Sequence, residues 1–283
     1  MKTALALAFI ATSAALAQTP AFEVAVIKPD PGGPGVRRGV TIDKNRVNIS
    51  YQSLSDILAF AYGVVPVQIV GPDYLKSGLF DVTAKLPAGA TEEQVPQMLQ
   101  ALLAERFGLV AHREKREEPI YALVVGKGGL KKMKPATDAE MAPDPVEGDR
   151  TQNTPFGKMT IRQIPGKGVV GFMPGIGTLK VSPGGNGEHV EMSNLTTVRF
   201  AQLLMSEGDR VVVDKTGLKG SYEASFDISV DQQQGPQASG GASTPQLNPM
   251  FLAVEQLGLK MEPQKDSVDM IVIDHIEKTP TEN

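Results

Sequence analysis

The chain has 283 residues, and its 28 lysines and arginines nearly balance 32 aspartates and glutamates, for a formal net charge of −4. It therefore has no excess of basic charge of the kind that binds nucleic acid or an anionic membrane surface. Cysteine and tryptophan are absent. This excludes disulfides and disfavours an aromatic platform for sugars or bases.

Residues 1–17 are predicted to be a signal peptide. Lys2 supplies the positive start, residues 4–15 form an apolar run, and Ala15-Leu16-Ala17 fits the cleavage signal. The apolar run is shorter than the roughly 20 residues of a membrane span. A buried N-terminal helix is the alternative, which the order of the three signals disfavours. Because a lipid anchor would need cysteine, we expect a soluble protein that is periplasmic or secreted, with no stable membrane insertion after cleavage.

Residues 18–126 are predicted to form a first α+β module. Ser53 is expected to cap a helix that ends at Gly63. A second helix carries an apolar stripe at helical spacing; Pro96 favours a start near Val95, and Gly108 favours an end at that position. A hairpin is predicted to follow, with the charged residues Arg113 to Glu118 at its tip. Strands are expected near residues 22–27, 40–42, 46–51, 67–70 and 79–86.

Residues 127–186 are predicted mainly to be a Pro/Gly-rich charged connector, with a hairpin around 159–164 and 168–172. It contains a basic cluster followed by an acidic one, and both are interpreted as solvated loop, with a docking surface as the alternative. The basic cluster consists of Lys127, Lys131, Lys132 and Lys134, and the acidic one of Asp138, Glu140, Asp144, Glu147 and Asp149.

Residues 187–283 are predicted to form a second module in the same order as the first. Strands are expected at 188–192, 211–213 and 222–230, with a helix at 195–204 and a flexible low-complexity loop at 231–246. Asn248 is expected to cap a last helix that ends at Gly258, before a closing hairpin at 259–276.

The sequence therefore predicts an α+β fold of two similar β-α-β-β-α-β-β modules, with the helices packed on one face of a small sheet. Chance similarity between two ordinary α+β segments is the alternative. Alternation along the strand after Gly108 places Leu109 and Ala111 inward. His112 then becomes an exposed strand residue.

No residue is assigned a catalytic, cofactor-binding or metal-binding role. The three histidines, His112, His189 and His275, lack metal-ligand spacing, and no G-x-S-x-G string occurs. Residues 214–217, DKTG, are interpreted as a turn in which Asp214 accepts backbone N–H groups and Gly217 takes positive φ.

Three segments resemble a soil-associated family of secreted proteins that is expanded in acidobacteria and known as a domain of unknown function. They are LLAERFGLVAHREKREEPIYALVVGK (102–127), VVVDKTGLKGSYEASFDI (211–228) and MIVIDHIEKTPTEN (270–283). Relatives fused to membrane metallopeptidases of the antibiotic-sensor type imply an extracytoplasmic sensing or interaction role. Each half is also distantly similar to the short N-terminal module of secretins and TonB-dependent receptors, which implies partner binding through sheet edges and helix faces.

The leading functional hypothesis is a non-catalytic binding module of the cell envelope or exterior, whose partner is another envelope or extracellular protein. The first alternative is an extracytoplasmic ligand-sensing domain, which predicts a pocket lined mostly by apolar side chains. The second is a hydrolase with a cryptic site between the modules, using Asp214 or Asp274 with His275. The sequence predicts no cofactor and no nucleic-acid partner.

We expect the exported protein to begin at Gln18, because signal peptidase cleaves after the small-x-small tripeptide ending at Ala17. Mass spectrometry of the protein recovered from the periplasm or the culture medium of an expressing bacterium measures this terminus. Recovery only from the cytoplasm, with Met1 retained, would contradict the prediction.

Overall fold

The computed structural model describes residues 20–32, 38–137, 144, 146–185, 187–206, 208–229 and 249–281. The predicted signal peptide, the predicted loop 231–246 and the predicted cap Asn248 lie outside the described residues. Among the described residues, no helix combines the length and the apolar character that crossing a bilayer requires.

The described chain contains four α-helices and three short 3₁₀ turns. The helices are α1 (Leu54–Tyr62), α2 (Val95–Phe107), α3 (Thr197–Ser206) and α4 (Pro249–Gln256), and the turns are Pro66–Gln68, Asp73–Lys76 and Glu92–Gln94.

Most of the remaining described chain is strand. In order, the strands are β1 (Val24–Pro29), β2 (Gly39–Asp43), β3 (Arg46–Ser53), β4 (Ile69–Val70), β5 (Leu79–Lys85), β6 (Val110–Val125), β7 (Met133–Pro135), β8 (Arg150–Thr154), β9 (Gly157–Ile164), β10 (Gly168–Met173), β11 (Gly177–Gly184), β12 (Gly187–Leu195), β13 (Val211–Asp214), β14 (Tyr222–Ser229) and β15 (Leu259–His275).

The described strands form two sheets. The larger has eleven strands in the order β1-β5-β3-β2-β8-β9-β10-β11-β12-β14-β7, and the smaller has four in the order β13-β6-β15-β4. Neighbouring strands in the larger sheet are antiparallel. In the smaller sheet β6 and β15 are antiparallel, whereas β13 and β4 add in parallel at the two edges.

The predicted helix boundaries in the first half are confirmed. The hydroxyl of Ser53 accepts the backbone N–H of Asp56 at 3.2 Å, and the Asp56 carboxylate accepts the backbone N–H of Ser53 at 3.1 Å. Helix α1 then ends at Gly63, whose φ is 66°. Helix α2 begins at Val95, and Gly108 ends it with a φ of 60°. Glycine suits both ends because a left-handed backbone strains residues that have a Cβ.

The two predicted hairpins at 109–125 and 259–276 are wrong. Strands β6 and β15 are each continuous, and they pair with each other from Val125–Leu259 to Val110–His275. The residues predicted as a hairpin tip, Arg113 to Glu118, lie in the middle of β6. Charged residues of alternating sign fit both structures, because an exposed two-stranded ribbon keeps them in water as well as a turn does.

Each hydrophobic core takes residues from both halves of the chain. The first surrounds α1 and α2 and is completed by Ile271, Ile273 and Ile276. The second surrounds α3, β12, β13, β14 and α4 and includes Ile120 and Leu123 of β6. Neither half encloses a core of its own. The predicted α+β fold of two similar modules with helices on one face of a small sheet is therefore wrong, and the protein is mainly β.

The two cores lie on opposite faces of the eleven-stranded sheet. Residues paired across an antiparallel ladder share a face, and so do residues two apart along a strand. Val40 of the first core pairs with Asn153. Following cross-strand pairs and two-residue steps from Asn153, the face that carries Val40 passes through β9 and β10 and reaches Lys180 of β11, which pairs with Glu191 of β12. Met192, which is buried in the second core, follows Glu191 and therefore points to the other face.

The central strands β8 to β11 lie within the segment 127–186, which was predicted mainly to be a connector. The hairpin predicted there is confirmed by the pairing of β9 with β10. Ile161, Val169 and Val170 in these strands are only half-buried. These strands cross from one core to the other, so neither of their faces is fully covered.

We expect Ile271→Ala to destabilise the whole protein. The Ile271 side chain is 1% exposed and belongs to the first core, and removing such a buried side chain costs about 2–5 kcal/mol. The free energy of unfolding in urea measures the loss. Lys265→Ala is the control: it changes an exposed residue of the same strand, where surface substitutions shift stability by about 0.5 kcal/mol or less. Equal stability of the two variants would contradict the proposed role of β15 in the first core.

Candidate functional site

The eleven-stranded sheet has two open faces, because each core covers only one face at its own end. The first open face lies opposite the first core and is concave. We name it the arginine cleft; its volume is about 820 Å³. It is lined by Arg38, Gly39, Thr41, Ser50, Glu147, Gly148, Arg150, Thr151, Gln152, Ile161, Arg162, Gln163 and Val169.

Two arginines of the cleft are held in fixed positions by carboxylates. Arg162 donates to both carboxylate oxygens of Asp149, at 2.7 and 2.8 Å. The Asp149 side chain is only 7% exposed, and hydrogen bonds from Arg162 and from the backbone N–H of Val146 lower its pKa to about 2. Arg38 donates to Asp56 at 2.6 Å, and Asp56 in turn belongs to the capping box of α1. Arg162 pairs with Val170, which in turn pairs with Lys180, so its guanidinium lies on the opposite side of the sheet from Arg150.

Arg150 differs from these two arginines because it has no hydrogen-bond or ion-pair partner within the described part of the chain. It pairs with Ile161 across β8 and β9, and its side chain is exposed on the cleft face. A free guanidinium recognises a carboxylate or phosphate through two parallel N–H donors. Gln152 and Gln163 place amide groups in the same cleft.

The second open face lies opposite the second core and is also concave. We name it the lysine face; it encloses about 600 Å³ and is lined by four lysines, Lys131, Lys132, Lys134 and Lys180, with Glu191 and Glu223 among the other lining residues. The register explains the clustering, because Lys180 pairs with Glu191 and Lys134 with Glu223 across neighbouring strands.

The three histidines are dispersed, and each contacts a carboxylate. His112 is an exposed strand residue, as predicted, and its Nδ1 lies 2.7 Å from Asp274 Oδ2. The hydrogen bond to Asp274 raises the pKa of His112. His275 instead contacts Glu277, with Nε2 3.1 Å from Oε1. The structure therefore pairs Asp274 with His112.

Asp214 lies far from Asp274 and His275. Asp214 pairs with Leu123 and His275 with Val110, which places them near opposite ends of β6, roughly 40 Å apart at about 3.3 Å per residue. The interpretation of residues 214–217 as a turn is confirmed. Asp214 accepts the backbone N–H of Thr216 at 3.0 Å, and Gly217 has a φ of 69°.

One arrangement that the sequence did not reveal is a row of Ser182, His189 and Asp227 across β11, β12 and β14. His189 Nδ1 lies 2.6 Å from Asp227 Oδ1. Nucleophilic catalysis would require a hydrogen bond from the serine hydroxyl to the other ring nitrogen. That nitrogen, Nε2, instead has Glu191 Oε1 at 3.8 Å. The row thus lacks the serine–histidine contact, and Asp227 also binds Lys132 at 2.9 Å.

Within the described ranges, no group of three or more histidine, cysteine, aspartate or glutamate side chains is arranged to hold a metal ion.

The two outer edges of the β6–β15 ribbon carry proline. Leu123 O accepts the N–H of Lys215, the residue after β13, so the odd-numbered residues of β6 direct their backbone groups to the outer edge. Pro119 shares that parity. Pro263 pairs with Tyr121 and therefore faces the opposite outer edge. Proline has no N–H to offer to an added strand, so both edges disfavour strand addition.

These features define a mainly β protein with two open polar sheet faces. The chain belongs to the family described as "Protein of unknown function (DUF3738)", whose model matches residues 55–276. Neither the curated proteins nor the solved structures include a match to this chain. Membership confirms the predicted domain of unknown function and assigns no activity to it.

We expect the pKa of Asp149 to depend on Arg162. Because the folded-state pKa of about 2 lies below the ordinary 3.8, the ion pair stabilises the fold above pH 3.8, and this contribution is lost as pH falls through about 2. Arg162→Gln should move the pKa of Asp149 upward, toward its ordinary value. An NMR titration of the Asp149 carboxyl carbon measures the shift, with Lys167→Gln as the control. An unchanged titration in Arg162→Gln would contradict the assignment.

Proposed function

We propose that this protein is an exported, non-catalytic binding protein that holds a polar, carboxylate-bearing segment of another envelope or extracellular protein in the arginine cleft. Export is inferred from the signal sequence at residues 1–17. The observation that carries the binding proposal is the guanidinium of Arg150, which has no partner among the described residues and lines a cleft of about 820 Å³.

The arrangement of donors favours a carboxylate. Arg150 supplies a planar pair of N–H groups, which matches the two oxygens of a carboxylate. Arg38 and Arg162 are already neutralised by Asp56 and Asp149. Among the described lining residues this leaves Arg150 and Glu147 as the unpaired charges, and of these two only Arg150 can bind a carboxylate. Strand backbone and ion pairs hold the site before a ligand arrives, which reduces the ordering cost of binding.

The size and polarity of the cleft favour a peptide segment. A volume of about 820 Å³ falls within the range of about 300–1,000 Å³ that encloses a ligand of moderate size. Glutamines 152 and 163 and the hydroxyls of Thr41 and Ser50 line the cleft, and they offer donors and acceptors to peptide groups. The ligand-sensing alternative expected a pocket lined mostly by apolar side chains, whereas most lining residues here are polar.

One resemblance from the sequence gives this proposal its setting. Relatives joined to membrane metallopeptidases of the antibiotic-sensor type, and the secreted acidobacterial proteins, suggest an extracytoplasmic interaction role. The similarity to secretin and TonB-receptor modules, which implied binding through sheet edges, depended on two repeated modules that the structure does not contain. Because Pro119 and Pro263 disfavour strand addition at the ribbon edges, we place the partner on a sheet face.

The test is capture of partners from an envelope extract and culture medium of the source organism. We expect the wild-type protein to recover a reproducible partner and Arg150→Glu to lose it, because the reversed charge repels a carboxylate. Lys167→Glu is the matched control, since Lys167 is exposed in the turn between β9 and β10. Titration calorimetry with the purified partner should show binding weakened about tenfold or more in Arg150→Glu, which equals 1.4 kcal/mol.

Recovery of the same partner by wild type and Arg150→Glu would remove the arginine cleft from the proposal. A repeated absence of any partner that distinguishes wild type from Arg150→Glu would count against the binding function itself.

A further inference from the structure

We propose that the lysine face is a second, independent binding site that takes a compact polyanion, a small molecule carrying several carboxylate or phosphate groups. This site lies opposite the second core, whereas the arginine cleft lies opposite the first. The two sites therefore occupy different faces at different ends of the eleven-stranded sheet.

The charge of the lysine face is opposite to that of the whole protein. Its four lysines exceed by one the three carboxylates that contact them, Glu191, Glu223 and Asp227, whereas the formal net charge of the chain is −4. A concave surface with charge of one sign concentrates ligands of the other sign. This contrast identifies the class of ligand as anionic.

The lysines of this face already bind carboxylates. Lys180 contacts Glu191 at 2.7 Å, Lys134 contacts Glu223 at 2.9 Å, and Lys132 contacts Asp227 at 2.9 Å. An ammonium group has three N–H donors, so each of these lysines keeps donors for a ligand. Their side chains are also accessible: Lys134 is 73% exposed and Lys180 is 52% exposed.

Lys131 is the lysine that gives the face unbalanced charge. It is exposed, and it has no ion-pair partner in the part of the chain that the structure describes. Its backbone N–H donates to Leu257 O at 3.1 Å, which fixes the start of its side chain against the turn after α4. Three of the four lysine charges are balanced by the glutamate and aspartate contacts just described. A ligand anion would balance the fourth charge, that of Lys131.

Hydroxyl groups complete the lining. Thr178, Ser193 and Ser225 line the face, and Ser193 Oγ accepts the backbone N–H of Thr178 at 2.9 Å. The same oxygen accepts from Asn194 Nδ2 at 3.3 Å. Both of its lone pairs are therefore engaged, and what the hydroxyl can offer a ligand is its proton. Ammonium and hydroxyl donors around one concavity suit clustered carboxylate or phosphate oxygens.

The concave shape favours a small ligand over a large one. A space of about 600 Å³ suits a ligand of moderate size, whereas a planar membrane surface cannot enter a concavity.

The test is titration calorimetry at low ionic strength with two probes, citrate and tripolyphosphate, on the full exported protein. We expect at least one probe to bind the wild type and the double variant Lys131→Glu/Lys134→Glu to weaken that binding about tenfold or more, which equals 1.4 kcal/mol. The charge-matched control Lys167→Glu/Lys265→Glu, at exposed positions outside the face, should bind as the wild type does. Lys131→Arg/Lys134→Arg should retain binding, because it keeps both charges.

The two probes distinguish the source of the anionic groups, since preference for citrate indicates a polycarboxylate and preference for tripolyphosphate indicates a phosphate ester or polyphosphate. Absence of binding to both probes, or equal loss in the two double glutamate variants, would overturn the proposal. A single-stranded oligonucleotide that binds more tightly than both probes and depends on the same lysines would also overturn it, because the ligand would then be an extended polymer. Arg150→Glu should leave probe binding intact, so failure of this site is distinguishable from failure of the arginine cleft.

Discussion

Backbone hydrogen bonds between β6 and β15 hold the two hydrophobic cores in one structure. The register of this pair is continuous from Val125–Leu259 to Ala111–Ile273. As a result, the C-terminal end of each strand packs in the core that the other half of the chain mainly builds. Ile273 of β15 lies in the first core, and Leu123 of β6 lies in the second. The exposed middle of the ribbon, with its alternating charges, joins the cores without burying charge. Loss of this pairing would leave both cores open.

The placement of the cores on opposite faces explains where the open surfaces occur. A sheet covered on one face along its whole length would have one hydrophobic and one solvated side. Here the covered face changes across β8 to β11, so each end of the sheet has its own solvated side. The arginine cleft and the lysine face follow from this change. Most lining residues of both surfaces stand on paired strands, so the ladder sets their spacing.

Local features of this chain were predictable from the sequence, whereas long-range pairing was not. The cap at Ser53, the start of α2 at Val95 and the stop at Gly108 depend on residues within one helical turn, and the structure confirms them. The apolar residues near 120–124 and 270–273 were expected in strands, but periodicity reports burial and does not identify the partner strand. Two local hairpins and one long pairing therefore give the same pattern, and the simpler local interpretation was wrong.

The candidate sites were predictable only in part, for the same reason. The basic cluster at 127–134 was visible in the sequence, but Lys180 joins it only through the order of β7, β14, β12 and β11. Arg150 stands in a Pro- and Gly-rich segment without a motif, and nothing near it in sequence marks it as special. The half-buried strands β8 to β10 lack clean alternation because both of their faces are partly solvated. Both surfaces form only when strands from distant parts of the sequence pair in the eleven-stranded sheet.

The ribbon also constrains how the chain acquires its structure. Contacts such as Ala111 with Ile273 join residues that are distant in sequence, and contacts of this kind close late and slow folding. A chain that crosses a membrane with its N-terminus leading, as proposed, cannot complete the first core until residues 259–276 have emerged. Until then, α1 and α2 leave apolar surface uncovered, a state that invites aggregation or chaperone binding. Under the proposed export, the topology that joins the two ends of the molecule thus delays completion of the first core until the last strand has crossed.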